Sequence, residues 1–254
     1  MMRVLRDTWL VFQRSMGQTL RNPVWVVIGL MQPLYYLFLF GPVLTKVAEQ
    51  SPDYGGNAYD VFVPALLVQM ALFGCVFVGF GLIAELRYGV VERMRVTPMS
   101  RLSMLLGRAL RDITVLVFQS TMLVVMSIPF GLHVTAVAVG IILGLLVLIG
   151  LGMACLSYAL GLALRSEDAL APLLNAVFLP IMLLSGMLLP LSMAPAWLQG
   201  VGHANPFYYA VEAARQAFKA RLQTGTVVGG LAMAAAMALV TVTWAARSFG
   251  RSVS

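Results

Sequence analysis

Six stretches of the chain run apolar with almost no charge, at about 24–44, 61–84, 112–130, 136–164, 170–190 and 226–246. At 1.5 Å per residue each is long enough to cross about 30 Å of hydrocarbon as a helix, and 136–164 must tilt or protrude. The third and fourth are parted only by 131–135, which predicts a tight hairpin. Small residues recur at four-residue spacing in the fourth run (Gly140, Gly144; Gly150, Ala154; Ser157, Gly161) and in the sixth (Gly230, Ala234, Ala238). Such tracks let helix backbones approach closely. Ahead of the first run the pattern changes. Leu5, Trp9, Phe12, Met16 and Leu20 fall within an arc of about 80° at 100° per residue, and Arg3, Arg14 and Arg21 gather opposite. That predicts an amphipathic helix over 1–23, lying on the inner membrane surface with its arginines toward lipid phosphate or a partner. A signal peptide needs an uninterrupted apolar core, which this segment lacks. No repeat, low-complexity tract or linker divides the chain, so 1–254 reads as a single all-α membrane domain.

Composition points to the same solvent. Apolar residues make up 60% and charged residues 11%, with a mean hydropathy of +0.89, where a soluble domain carries roughly a quarter charged. A secreted disulfide scaffold, a disordered regulator and an ordinary soluble enzyme are excluded on that ground. Cys75 and Cys155 both sit inside apolar runs, which argues against disulfide staples and cysteine-based metal sites.

The net charge of +7 would raise nucleic acid as a partner in a soluble protein. Here the basic residues cluster at the ends of apolar runs, which is how topology is written. Six spans put both termini on one side, and thirteen of the 17 Lys and Arg residues share it. The positive-inside rule makes that side cytoplasmic, in a multi-pass protein of the cell membrane. Lys46, Arg215, Lys219 and Arg221 fall on the other side. The last three are an exception that marks a partly re-entrant external element.

No Asp, Glu, Lys, Arg or His lies in the middle of a predicted span, whereas ion-coupled carriers usually hold such a residue at membrane depth. The polar side chains available there are Gln32, Gln69, Gln119 and Asn175. They read either as hydrogen-bonding glue between helices or as contacts along a substrate path. His133 and His203 have no partner at metal-ligand spacing, and no G-x-S-x-G elbow is present. Lys46 and Lys219 are the only lysines, and neither follows a glycine-rich phosphate loop. A pump built on this chain would therefore take its engine from another polypeptide.

The stretch Glu85 to Arg111 carries the most information. Leu86, Val90 and Met94 recur every fourth residue, leaving Glu85, Glu92 and Arg95 on other faces. Pro98 ends that helix at Thr97, and Met99-Ser100-Arg101 opens the next. A short charged helix pinned between two spans and stopped by proline can take a push from a soluble partner; it can also be a basic loop obeying the positive-inside rule.

Glu85, Arg87, Gly89, Glu92, Arg93, Thr97, Pro98, Ser100 and Arg101 stand in the order that resembles the signature of permease subunits of type-2 ABC exporters, in particular the daunorubicin-resistance-type permeases. Between spans five and six, Ser185-Gly186-Met187, Pro190-Leu191, Pro195-Ala196-Trp197-Leu198, Asn205-Pro206-Phe207 and Val211-Glu212-Ala213-Ala214-Arg215 are similar to the same family, with Glu212 where aspartate is common. The resemblance implies six transmembrane helices with an N-terminal interfacial helix, a cytoplasmic coupling helix and an external re-entrant element between helices five and six. It implies no catalytic residue or cofactor in this chain: ATP and Mg would sit on a partner ABC ATPase, in two copies, with a second permease chain forming a homo- or heterodimer. Glu85, Arg87, Gly89, Glu92, Arg93, Thr97 and Pro98 would couple to the ATPase. The cargo would be a lipophilic or amphipathic compound moving outward, and Pro172, Pro180 and Pro190 would break span five where a bundle flexes or lines the path. The rival readings are an ion-coupled or passive carrier and a non-transporting membrane scaffold.

Overall fold

Each apolar run folds as helix in the computed structural model, which describes residues 2–50, 58–89, 101–187, 191–219 and 224–251. The amphipathic segment is α1 (Met2–Arg21). Span one is α2 (Val24–Tyr35), a π-helical turn (Tyr36–Phe40) and α3 (Gly41–Gln50). Span two is α4 (Ala58–Val76) and α5 (Gly79–Arg87). Span three is α6 (Arg101–Ser127) closed by a 3-10 turn at Ile128–Phe130. Span four is α7 (Ala136–Leu164) and span five α8 (Glu167–Leu184). Two short helices follow, α9 (Ala196–His203) and α10 (Pro206–Phe218), before α11 (Thr224–Arg251) as span six. Six helical segments are long and apolar enough to cross a membrane, and no strand occurs among the described residues.

Two features of the spans differ from expectation. α6 opens at Arg101, where the Met99-Ser100-Arg101 signal put it, but its membrane-length stretch starts at Ser103 instead of 112, so Arg108, Arg111 and Asp112 lie within it. Charges usually end a span, but charges that neutralise one another need not. Span five is not broken at Pro172 or Pro180, since α8 runs continuously through both. Each proline deletes one backbone bond while keeping a helical φ, and lipid-embedded helices tolerate this where nearby groups take up the freed carbonyl. Pro190 lies outside the described residues.

α7 is the central post, packed against α4, α5, α6, α10 and α11. In the most apolar stretch of span two 78% of residues are buried, against 22%, 17% and 22% in spans one, five and six. Span two is thus an inner element, while the other three keep broad lateral faces. Lipid is as apolar as leucine, so close packing of small residues holds the bundle together. A Cβ on Gly152 would stand 3.3 Å from the Ala238 Cα, which fixes the spacing of α7 and α11. Only part of the predicted track is used: Ala154 and Ser157 are fully buried, whereas Gly140 and Gly144 face open space.

α1 forms as predicted but seats on an unpredicted face. Val11 and Ser15 are buried against α6, where a Cβ on Gly107 would meet Val11 Cβ at 2.6 Å and the Thr8 carbonyl at 2.7 Å. Ser103 Oγ donates to the Val4 carbonyl at 3.1 Å. This stripe of small residues lies ~100° round the helix from the large apolar one. Leu5, Trp9 and Leu20 are left exposed. At the far end of α7, Arg165 closes the helix in the left-handed region, φ 51°, with its N–H bonded to the Gly161 carbonyl at 3.0 Å.

Candidate functional site

Arg108 and Asp112 stand one turn apart on the inward stripe of α6 that also carries Leu105, Ala109 and Leu116, and both are buried. A buried charge is tolerable only when paired and hydrogen-bonded, and the neighbouring helices supply the partners. Arg108 Nη2 donates to Glu85 Oε2 on α5. Tyr158 OH, from α7, donates to Asp112 Oδ2. Arg111 Nε lies 2.8 Å from Asp112 Oδ1, an ion pair whose angle does not make a hydrogen bond, and Arg111 Nη1 donates to Thr19 Oγ1 of α1 at 3.2 Å. Two carboxylates and two guanidiniums form a neutral layer that ties α1, α5, α6 and α7 at one end of the bundle.

Glu85, Arg87 and Gly89 all lie at this end. Arg87 Nη1 is 3.5 Å from Glu167 Oε1 at the start of α8. Both side chains are well exposed, so the pair contributes under about 1 kcal/mol. Gly89 adopts φ 65° and bonds its N–H to the Leu86 carbonyl at 3.1 Å. That left-handed residue terminates the helix at little steric cost, which is why glycine suits the position. Glu92, Arg93, Thr97 and Pro98, with the helix expected there, lie outside the described residues.

The four polar side chains considered for a substrate path stand on four different helices. Gln119 is buried on α6; its Nε2 donates to the Val26 carbonyl at 2.6 Å, across the notch left by Gly29. Gln69 is buried in α4. Gln32 and Asn175 stand on the exposed faces of α2 and α8, and Asn175 Nδ2 donates to the Ala171 carbonyl of its own helix at 3.0 Å.

At the opposite end of the bundle, α10 is buried among α4, α7 and α11. Asn205 caps it by accepting from Phe207 N at 3.0 Å and donates to the Ile181 carbonyl at 2.7 Å. The buried Arg215 guanidinium donates from Nη2 to the Gly186 carbonyl at 2.7 Å and from Nε to the Val61 carbonyl at 3.3 Å. The charge that fitted the positive-inside count poorly is thus a bolt joining α10 to spans two and five. Burial, and then the Glu212 carboxylate, push the Tyr208 phenol above its ordinary range, so it stays protonated.

Sequence reasoning missed Arg108, Arg111, Asp112 and Tyr158 as members of the charged layer, and Arg215 as a structural group. The alternating four- and three-residue recurrence through Leu105, Ala109, Asp112 and Leu116 was the signal that would have turned Asp112 inward.

The family model for the ABC-2 type transporter matches residues 6–219. The chain is 28% identical over 214 residues to the ycf38 transport permease of Cyanophora paradoxa, covering 83% of this chain and 73% of that one. It is 24% identical over 206 residues to the daunorubicin resistance ABC transporter permease protein DrrB1 of Streptomyces coeruleorubidus, covering 80% and 71%. With the doxorubicin resistance permease protein DrrC of Mycobacterium tuberculosis it shares 23% identity over 213 residues, covering 82% and 75%. Six apolar helices and a family match over most of the length agree, and the chain belongs to the ABC-2 type transporter family as a multi-pass membrane transport permease.

Proposed function

We propose that this chain is the membrane-spanning half of an ATP-driven exporter, powered by a separate ABC ATPase and moving a lipophilic or amphipathic compound out across the cell membrane. One observation carries the reading: Glu85, at the foot of span two, is locked to the layer that joins α1, α6 and α7. A push on the segment leaving α5 is then delivered to four helices at once. Two ATPase copies, with ATP and Mg, would sit beneath a homo- or heterodimer of permease chains, on the side that holds both termini. Glu85, Arg87, Gly89, Glu92, Arg93, Thr97 and Pro98 would form the contact. The exposed apolar stripe of α1 would lie in the lipid interface, and α9 with α10 would form the external re-entrant element. Gln32 and Asn175, on open faces, are better placed than Gln69 and Gln119 to meet cargo. Relatives named for resistance to daunorubicin and doxorubicin support a drug-like cargo.

The test is whether the neighbouring reading frame encodes an ABC ATPase and whether that ATPase co-purifies with this chain, followed by daunorubicin-stimulated ATP hydrolysis in lipid. Glu92→Lys sets like charge beside Arg93 and Arg95 and is expected to insert normally yet lose ATPase association or stimulated hydrolysis. Breaking a desolvated charged contact costs about 2–5 kcal/mol, against well under 1 for an exposed charge. A variant that binds the ATPase and transports at the wild-type rate returns this loop to a basic turn with no mechanical role.

A further inference from the structure

Span two is interrupted at Phe77–Val78, between the end of α4 and the start of α5. In a continuous helix Gly79 N–H would bond the Cys75 carbonyl and Phe80 N–H the Val76 carbonyl. Here Phe80 N–H turns to the Phe77 carbonyl at 3.2 Å and Gly81 N–H to the Val78 carbonyl at 3.1 Å. Two of the groups so displaced, the Gly79 N–H and the Val76 carbonyl, are met by one side chain of α7. Gly79 N–H donates to Ser157 Oγ at 2.8 Å, and the same hydroxyl donates to the Val76 carbonyl. Ser157 is fully buried.

The backbones are seated tightly around this clip. A Cβ on Gly79 would come to 2.5 Å of the Ser157 carbonyl, and one on Gly161 to 3.1 Å of the Gly79 carbonyl. The opposite side of span two is open. Gly74 and Gly81 have nothing within 4 Å of an added Cβ. The half-buried rings of Phe73, Phe77 and Phe80 form a stacked ladder, with centroids 6.3 and 6.0 Å apart. At the break, span two is therefore held on one face by Ser157 and Gly161 and has room to bend on the other. Above that point α4 is buried almost throughout; below it α5 carries Glu85 and Arg87.

We propose that span two is a two-part lever with its pivot at Phe77–Val78, and that Ser157 is the positioning residue that keeps the pivot open. By satisfying the Gly79 N–H and the Val76 carbonyl, the hydroxyl lowers the drive to re-form a straight helix. α5 can then tilt about this point with the segment that follows it, carrying the Glu85–Arg108 pair with it, while α4 stays seated. This rests on the proposed ATPase coupling, and the experiment separates the two.

The permease–ATPase complex is reconstituted in lipid nanodiscs with spin labels at Tyr88→Cys and Arg165→Cys, and distances are measured nucleotide-free and trapped with ADP and vanadate. A control pair at Phe118→Cys and Val137→Cys reports spans three and four. The 88–165 distance is expected to shift by a few ångströms on trapping while the control stays put. Ser157→Ala is expected to shrink that shift and to lower cargo moved per ATP hydrolysed several-fold, and Ser157→Thr, which keeps the hydroxyl, to restore both. No shift in the wild-type complex overturns the pivot, and that measurement decides even where Ser157→Ala does not accumulate. A full shift and full coupling in Ser157→Ala, or Ser157→Thr behaving like Ser157→Ala, overturns the role of the hydroxyl. Failure of the complex to form or hydrolyse ATP overturns the coupling reading instead, because the pivot fails only when stimulated hydrolysis proceeds without movement.

Discussion

Arg108 and Glu85 illustrate how a charge is kept inside a lipid-embedded bundle: neither is stable there alone, and each is the reason the other is tolerated. Glu85→Gln would leave the buried Arg108 guanidinium without its carboxylate, at a cost of about 3–5 kcal/mol, whereas Arg108→Met leaves a partly exposed carboxylate and should cost less. The double variant Glu85→Gln with Arg108→Met removes both charges and should recover most of that loss. Thermal inactivation in lipid of the two singles and the double is the check; a double as unstable as the sum of the singles would show that the two side chains are not coupled. Tyr158→Phe removes one hydrogen bond to a carboxylate and should cost less, about 1.5–3 kcal/mol. Arg165 makes the opposite kind of statement. An arginine at φ 51° spends about 1 kcal/mol of backbone strain that glycine would not. Arg165→Gly should therefore raise the melting temperature slightly, and a fall would show that the side chain holds a contact outweighing the strain.

Among the elements, α1 is the clearest case of a helix whose existence and whose seat are decided by different residues. Large apolar side chains and arginines set its amphipathic pattern, but Thr8, Val11 and Ser15 set its contact with Gly107. Gly107→Val should push α1 off α6 while leaving the spans inserted. A cysteine at position 11, shielded in the native bundle, should then react with a soluble maleimide at a rate near that of an exposed site; continued protection would place the packing elsewhere. The six spans were legible in the sequence because the bilayer judges each run by its own length and apolarity. The opening of α6 at Arg101 was legible, but the burial of Asp112 within it was not, because that depends on Arg111 and on Tyr158, 46 residues further on. Neither was the continuity of α8, since a proline signals a lost bond but not whether the helix yields. At the candidate site Glu85, Arg87 and Gly89 could be picked out by type and order. Their partners Arg108 and Glu167 could not, because pairing across helices leaves no periodic trace.

For the whole molecule, the charge asymmetry makes a definite expectation of sidedness. In intact cells a membrane-impermeant thiol reagent should reach a cysteine at Trp197, exposed on α9, and not one at Arg14 on α1; the reverse pattern would invert the topology. The uneven burial of the spans bears on how two such chains would meet. Spans one and five have only 22% and 17% of their apolar stretch buried, so their flanks face hydrocarbon at no hydrophobic penalty. Bringing two flanks together releases lipid, not water, and the association is an exchange between protein and annular lipid in two dimensions. Its equilibrium is then set by mole fraction in the bilayer, so a pair that survives any dilution into buffer should come apart when the same vesicles are fused with excess lipid.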